Sequence, residues 1–177
     1  MTNSFETAKA QRNVLERLTD KIPGFKGFQD RELRRDVDKL LREHLSAELT
    51  RIKGLVRSRT RDYTDAGQIG ALNGFDRLDR KLDGLSQSIR FADYGATGFF
   101  DAVKIGEPEL DRLYQFDASV VDDLAQIEGA LAAVPHPGGD SPDVALVQAR
   151  DLVEALEVKW KGREAVVSNA VTTGPSQ

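Results

Sequence analysis

Apolar residues recur at intervals of three and four between positions 33 and 56, and most of the positions between them are polar or charged. An α-helix has 3.6 residues per turn, so this spacing places the apolar side chains on one stripe. The pattern predicts a helix from about residue 30 to residue 62, roughly 45 Å long at 1.5 Å per residue. The stripe consists of Leu33, Val37, Leu40, Leu41, Leu45, Leu49, Ile52 and Val56.

A short turn with two aromatic rings precedes this helix. Pro23 is incompatible with a helix interior, and Gly24 and Gly27 can adopt backbone angles that other residues avoid. Phe25 and Phe28 supply the two rings. We expect both rings to be buried, where they would pin the helix before the turn to the helix after it. Pro23, Phe25 and Phe28 are therefore predicted to be structural anchors.

The same spacing predicts four more helices. The first would end at Pro23, and the fourth would begin at Pro108, because proline is favoured in the first turn of a helix. Asp65 with Gln68 predicts a cap for the third helix, and Ser141 predicts the N-cap of the fifth. The four predicted helices cover residues 4–21, 66–91, 108–134 and 142–168.

The fourth predicted helix carries a heptad pattern that contains one charged residue. A carboxylate at Asp117 would lie in an apolar seam, where it needs a partner. We expect Arg90 or another basic residue of the N-terminal half to supply that partner, so that Asp117 sets the register of the helices. A binding or catalytic role for Asp117 is the alternative. One seam position holds Leu113, Val120, Ile127 and Val134. The other holds Leu110, Asp117, Leu124 and Leu131.

No segment shows the alternation of apolar and polar residues, bounded by turns, that indicates a β-strand. The sequence predicts an all-α protein, an elongated antiparallel helical bundle of about five helices with coiled-coil character. It is expected to form a single domain over residues 1–177, of which 168–177 would be a disordered tail. Trp160, the only tryptophan, is expected to anchor the core or an interface.

Four aromatic residues fall within ten positions that begin at the last residue of the third predicted helix, and two glycines interrupt them. We predict that they plug the end of the bundle. The alternative is an exposed aromatic patch that docks a partner. The four residues are Phe91, Tyr94, Phe99 and Phe100.

Charge is divided unevenly along the chain. Residues 1–92 hold 19 Lys and Arg against 14 Asp and Glu, whereas residues 93–177 hold 6 against 15. One interpretation is that the two halves pack together with complementary surfaces. The other is head-to-tail assembly, in which the basic half of one copy meets the acidic half of the next.

The basic residues concentrate at the end of the long helix, where no acid lies between Leu49 and Arg61. They could complement the negative end of the helix dipole and stay solvated. They could instead bind phospholipid headgroups, nucleic acid or an acidic protein. Our hypothesis is that they contact an acidic surface of a second copy, formed by the fourth helix. The basic residues are Arg51, Lys53, Arg57, Arg59 and Arg61; the acids are Asp111, Asp122, Asp123 and Glu128.

Several chemistries have no support in the sequence. The chain has no cysteine, which excludes disulfides, thiolate metal sites and a cysteine nucleophile and fits a cytoplasmic location. Its two histidines, His44 and His136, belong to no metal-binding or nucleophile motif, and there is no phosphate loop. No apolar run is long enough to span a membrane, and no signal peptide is visible. We therefore expect neither enzymatic activity nor a metal or other cofactor.

Two motifs, one from Ile22 to Phe28 and one from Arg90 to Asp101, together resemble a family of uncharacterised bacterial helical proteins. Their sequences here are Ile-Pro-Gly-Phe-Lys-Gly-Phe and Arg-Phe-Ala-Asp-Tyr-Gly-Ala-Thr-Gly-Phe-Phe-Asp. That family often has tyrosine where this chain has Phe25 and Phe28. The resemblance implies a bacterial cytoplasmic protein whose relatives accompany band-7-like membrane scaffolding proteins, and it provides no catalytic residues.

These observations favour a non-enzymatic scaffold or adaptor that binds protein, including further copies of itself. The alternative is a module that binds an anionic surface through Arg51 to Arg61. Its ligand would be a phospholipid membrane, through peripheral association, or, as a less favoured candidate, nucleic acid.

Overall fold

The computed structural model describes residues 13–27, 34–92, 107–163 and 165, with the backbone alone at positions 107 and 108. Regular structure in these ranges is entirely helical, which confirms the predicted all-α class. No helix in these ranges is long and apolar enough to cross a membrane. Phe28 and the predicted tail at 168–177 lie outside the described residues, so the predictions made for them stay predictions.

Five α-helices make up most of the described structure. The described part of helix α1 comprises residues 13–21, and a one-turn 3-10 helix, Ile69–Ala71, lies between the second and third helices. The long second helix continues three residues beyond its predicted end. The other helices are α2, Arg34–Asp65; α3, Leu72–Arg90; α4, Glu107–Ala132; and α5, Asp143–Lys161.

The end of α2 corrects the predicted cap of α3. Gly67, with a φ of 70°, follows α2 in the left-handed conformation. The amide of Gln68 donates to the carbonyl of Tyr63 at 2.9 Å, and the amide of Gly67 donates to Thr64 at 3.0 Å. This is the Schellman arrangement, which satisfies the last carbonyls of a helix. Asp65 and Gln68 therefore belong to the end of α2 and do not cap α3.

The start of α5 differs from its prediction by one position. Pro142, and not Ser141, occupies the N-cap position, and its carbonyl accepts the amide of Leu146 at 2.9 Å. The hydroxyl of Ser141 still accepts the amide of Asp143, at 3.3 Å. Because helix ends are assigned to within one or two residues, the local geometry matches the expected start.

Contacts between helices define the topology. Helices α2 and α3 are antiparallel, since the Ser46 and Ser86 hydroxyls lie 3.0 Å apart and the Lys53 ammonium donates to Asp83 at 2.5 Å. Helix α5 runs parallel to α3, because Leu146 packs on Gly74 and, further along both helices, Lys81 pairs with Glu154 at 3.1 Å. Consecutive helices therefore alternate in direction, but α3 packs beside α5, which does not follow it directly in the chain.

The fourth helix completes the bundle. It is antiparallel to α5, with Lys159 donating to Asp123 at 2.5 Å, and parallel to α2, with Arg51 bound to Glu128. The neighbours around the core are therefore α2, α3, α5 and α4. The predicted apolar seams point into this core, including Leu113, Val120, Ile127 and Val134 of the heptad.

The turn after α1 holds that helix against α2 and α4. Phe25 is buried and meets Tyr114 edge to face, with ring centroids 6.4 Å apart. Gly24 and Gly27 both have positive φ, and at Gly27 a Cβ would lie 2.8 Å from the Tyr114 hydroxyl. Pro23 is exposed on the outside of the turn. The predicted burial of the Phe25 ring is confirmed, and its role as an anchor stays a prediction.

We predict that Phe25→Ala destabilises the protein by about 3–5 kcal/mol, because the buried ring leaves a cavity. Phe91→Ala is the matched control, since Phe91 is 59% exposed and its loss should cost about 1 kcal/mol or less. Urea denaturation followed by circular dichroism measures both. Equal unfolding free energies for the two variants would contradict a buried anchor at Phe25.

Candidate functional site

The first candidate site is the basic stretch at the end of α2, and Arg51 is its first residue. Its Nη1 and Nη2 atoms donate to the two carboxylate oxygens of Glu128 on α4, at 2.7 and 2.6 Å. Its Nε atom donates to Glu48 at 3.0 Å. Hydrogen bonds from the guanidinium lower the pKa of the Glu128 carboxyl, against a smaller effect of burial. Arg51 thus bridges α2 and α4 in one molecule.

The next two cations face α3. Lys53 is largely buried along its stem, and its ammonium reaches Asp83 at 2.5 Å and Asp79 at 4.0 Å. The Nε atom of Arg57 donates to Asp79 at 3.2 Å. Hydrogen bonding by Lys53 lowers the pKa of Asp83. These pairs couple α2 to α3.

The last two cations differ from each other. Arg59 Nη1 lies 2.9 Å from Nδ1 of His136, which accepts the hydrogen bond when that nitrogen carries no proton. Arg61 is exposed and contacts no acid among the described residues. Four of the five cations therefore contact groups of the same chain.

Ion pairs also join the basic and acidic halves elsewhere. Arg17 binds Asp122 at 2.7 Å, and Lys81 binds Glu154 at 3.1 Å. Exposed pairs of this kind contribute about 1 kcal/mol or less each. Together with Arg51 and Glu128 they support the interpretation that the two halves complement each other within one molecule. Contact between the basic stretch and a second copy stays a prediction.

The second candidate, Asp117, lies in a buried charge cluster. Its carboxylate has no exposed surface. Arg163, just after α5, donates to it through Nε at 2.8 Å and Nη2 at 3.0 Å. The remaining Nη1 atom donates to Asp38 of α2 at 2.6 Å. Our expectation of a partner from the N-terminal half, such as Arg90, was wrong, because the bidentate partner comes from the C-terminal half.

Further contacts complete this cluster. Arg42 donates through Nε to Asp38 at 2.8 Å and through Nη1 to the carbonyl of Arg90 at 3.1 Å. The Arg163 guanidinium stacks over the Trp160 ring, 5.1 Å from its centroid. Trp160 is 5% exposed, so of the two predicted locations, core or interface, it lies in the core. The cluster therefore ties α2, the end of α3, α4 and the end of α5 to one another.

The electrostatics of the cluster favour a structural role. Burial raises the pKa of the Asp117 carboxyl, and the Arg163 guanidinium opposes that rise. Burial alone would lower the pKa of Arg163, but the carboxylates of Asp117 and Asp38 outweigh it and raise that pKa. Both carboxylate oxygens of Asp117 are hydrogen bonded and enclosed. Within this described cluster, neither Asp117 nor Arg163 is open to a substrate.

Two open depressions lie on the surface of α2. One, of about 270 Å³, lies between α2 and α4 and contains His44, whose pKa is lowered by burial against the opposing effect of Glu48. The other, of about 520 Å³, lies beside Arg90 and Phe91. Neither contains a polar group that is buried without a hydrogen bond among the described residues. No group of three potential metal ligands occurs in the described ranges.

The aromatic cluster after α3 is only partly described. Phe91 is 59% exposed, and its ring lies 5.8 Å from the Arg90 guanidinium carbon. The expectation that this ring plugs the bundle was wrong. Tyr94, Phe99 and Phe100 lie outside the described residues, so their role as plug or docking patch stays a prediction.

Sequence reasoning missed a further surface, the outer face of α5. Val144, Val147 and Val158 are 81%, 45% and 72% exposed. They lie within about 60° of the direction of Asp151, at 100° per residue. The core-facing residues lie on the opposite side of the helix. We define the outer face of α5 as Val144, Val147, Gln148, Asp151, Ala155 and Val158, all exposed. The core-facing residues are Leu146, Ala149, Val153, Leu156 and Trp160.

We predict strong coupling between Asp117 and Arg163. Asp117→Leu or Arg163→Leu alone leaves a buried charge without its partner and should cost about 3–5 kcal/mol. The double variant should cost clearly less than the two losses added together, because Asp38 keeps Arg42. Urea denaturation of all four proteins gives the coupling energy. Additivity within about 0.5 kcal/mol would rule out the cluster as a structural unit.

We predict a pH-dependent contribution from the pair of Arg51 and Glu128. The folded-state pKa of Glu128 is lowered, so its stabilisation is present above the ordinary value of 4.5 and is lost as the pH falls through the folded value. Glu128→Gln should lower stability by about 1 kcal/mol or less at pH 7. Its stability should converge with that of the parent in acid, measured by urea denaturation. A difference that persists unchanged below the folded pKa would contradict this assignment.

No protein-family model, curated protein or solved structure matches this chain. Among the described residues, the cluster around Asp117 is enclosed and the basic stretch is largely paired. The outer face of α5 is the candidate site whose apolar side chains are exposed and are not covered by any other described helix.

Proposed function

We propose that this protein is a non-enzymatic helical scaffold that binds protein through the outer face of α5. The observation that carries the proposal is the position of its apolar residues. Val144 and Val158 are among the most exposed large apolar residues of the described structure. They share one side of one helix with Val147 and Ala155, so the helix is apolar on two opposite sides.

A second apolar side has an energetic consequence. Scattered exposed apolar residues are normal on a protein surface. Several on one stripe are different, because one partner can cover them together. Burying a valine side chain fully stabilises a contact by about 1.5 kcal/mol or more. A partner helix laid along Val144 to Val158 would gain this from several side chains at once.

The other candidate surfaces are weaker supports for a binding function. Arg51, Lys53 and Arg57 already contact carboxylates of the same chain. Binding an external anion would have to compete with those pairs. The resemblance of the two aromatic motifs to a family that accompanies scaffolding proteins points toward protein binding as well. A bacterial cytoplasmic location is part of that proposal, whereas peripheral membrane association belongs to the alternative, the anionic-surface module.

The buried carboxylates support a non-enzymatic role. Asp117 and Asp38 each accept hydrogen bonds from guanidinium groups inside the bundle. An acid that catalyses proton transfer must reach its substrate within hydrogen-bonding distance. The two carboxylates face the guanidinium groups of Arg163 and Arg42 inside the bundle. We assign them to the architecture of the bundle.

Site-specific photocrosslinking tests the proposal. A photoreactive amino acid at Val144 or Val158, in cells that express the chain, should crosslink the outer face to protein. Gln126 of α4 and Thr50 of α2 are exposed control positions and should give background levels. When the chain and the protein that it crosslinks to are both purified and mixed, the crosslinks should persist between about 0.15 and 0.5 M salt, because salt does not screen apolar contacts. Background crosslinking at all four positions would overturn the proposal.

The same proteins discriminate the alternative function. Vesicles with anionic lipids and double-stranded DNA are the two probes. Binding to either that weakens steeply with salt, and is lost in Arg57→Glu with Arg59→Glu, would favour an anionic-surface module. We expect no such binding from the parent, because both side chains already contact groups of the chain. Circular dichroism confirms that the double variant remains helical.

A further inference from the structure

We infer that the partner of the outer face of α5 is a second copy of this chain, with the two α5 helices packed antiparallel about Asp151. The inference rests on the proposed function and names its partner. It follows from a symmetry in the outer face. Val144 and Val158 lie seven residues before and after Asp151, and Val147 and Ala155 lie four before and after it.

This spacing makes the face complementary to itself. When two identical helices pack antiparallel about one position, residues equally far before and after that position come to the same level. Val144 of one copy then meets Val158 of the other, and Val147 meets Ala155. Both contacts occur twice, once on each side of the symmetry axis. The small Ala155 leaves room for Val147 of the other copy.

Charges along one edge of the face favour the same arrangement. Asp143, Arg150, Glu154 and Lys161 lie on this edge at 100° per residue. In the antiparallel pair, Asp143 comes beside Lys161 of the other copy, and Arg150 beside Glu154. The levels of these charges agree to within about 3 Å, at 1.5 Å per residue. In a parallel two-fold pair the two copies of this edge would lie on opposite sides of the interface, so these charges could not pair.

Three of these charges already pair within their own molecule. Arg150 lies 2.9 Å from Asp151 and 4.0 Å from Glu154, Glu154 meets Lys81 of α3 at 3.1 Å, and Lys161 pairs with Glu157. The side chains are half exposed, so each can contact its own helix and the other copy together. Arg150 also offsets the repulsion between the two Asp151 carboxylates, which meet at the centre.

The size of the surface sets the expected affinity. Stable interfaces bury about 800 Å² on each partner. The outer face of α5 extends only about 21 Å from Val144 to Val158, at 1.5 Å per residue. We therefore expect a dissociation constant of roughly 10–100 μM. Asp151→Leu should tighten the dimer by about tenfold, because it removes the central repulsion and adds apolar area.

Single cysteines test the register directly, because the chain has none of its own. A short bismaleimide is the crosslinker, used at protein concentrations up to about 0.5 mM, several times the expected dissociation constant. Asp151→Cys should crosslink to itself. Val144→Cys should not, because the two copies of that position lie about 21 Å apart along the axis. A mixture of Val144→Cys and Val158→Cys should crosslink. Gln126→Cys on α4 gives the collisional background.

Sedimentation velocity supplies an independent measurement. The parent should show a concentration-dependent dimer, and Val144→Glu with Val158→Glu should remain monomeric at 0.5 mM, roughly fivefold above the weakest affinity expected. Circular dichroism should be unchanged, because both positions are exposed. Loss of helicity in this variant would shift the decision to the cysteine experiment, in which each substitution is milder.

The pattern of crosslinks distinguishes an antiparallel pair, a parallel pair and the absence of self-pairing. Self-crosslinking of Val144→Cys would indicate a parallel pair and overturn the inference. Background crosslinking of every cysteine, with a monomeric parent, would overturn self-pairing. In that case the proposed function still stands if photocrosslinks from Val144 and Val158 reach a different protein. It fails as well if those photocrosslinks are at background.

Discussion

The guanidinium of Arg163 is the constraint on which the bundle depends. It enters the interior only because two carboxylates, from Asp117 and Asp38, neutralise it and accept its hydrogen bonds. Taking such charges out of water costs several kcal/mol per ion, so the arrangement is stable only when every partner is in place. The helices cannot slide past one another without separating these charges. Apolar seams supply most of the burial, and the charges select one register among the alternatives that the seams would allow.

The sequence revealed this constraint only in part. The heptad of α4 shows that Asp117 lies in a seam and needs a partner. It does not show which cation provides that partner, because pairing depends on which helices become neighbours. Arg163 stands near the end of α5 among other charged residues, where nothing in the local pattern separates a buried cation from a solvated one. The spacing of apolar residues was sufficient to predict the five helices, whereas the Schellman turn at Gly67 became apparent only from the backbone conformation.

The charged and apolar surfaces show a similar limit. Complementary halves have the same sequence signature whether they meet within one molecule or between two. The structure supplies the geometry, with Arg51 on Glu128 and Arg17 on Asp122 inside one chain. The outer face of α5 was hidden for another reason. Its valines follow the same spacing of three and four as the core residues. The identity of an apolar residue does not indicate whether the core or a partner will cover it.

The position of Arg163 along the chain also bears on how the protein is made. Its contact with Asp38 spans 125 residues of sequence, so it can form only after the chain as far as Arg163 has left the ribosome. Until α5 and Arg163 have emerged, a nascent bundle of α2, α3 and α4 would have to bury Asp117 without a counter-charge. Such an intermediate is disfavoured, so completion of the core is coupled to completion of synthesis through α5. Nascent chains that end before this residue are the ones that would depend on chaperones to remain unaggregated.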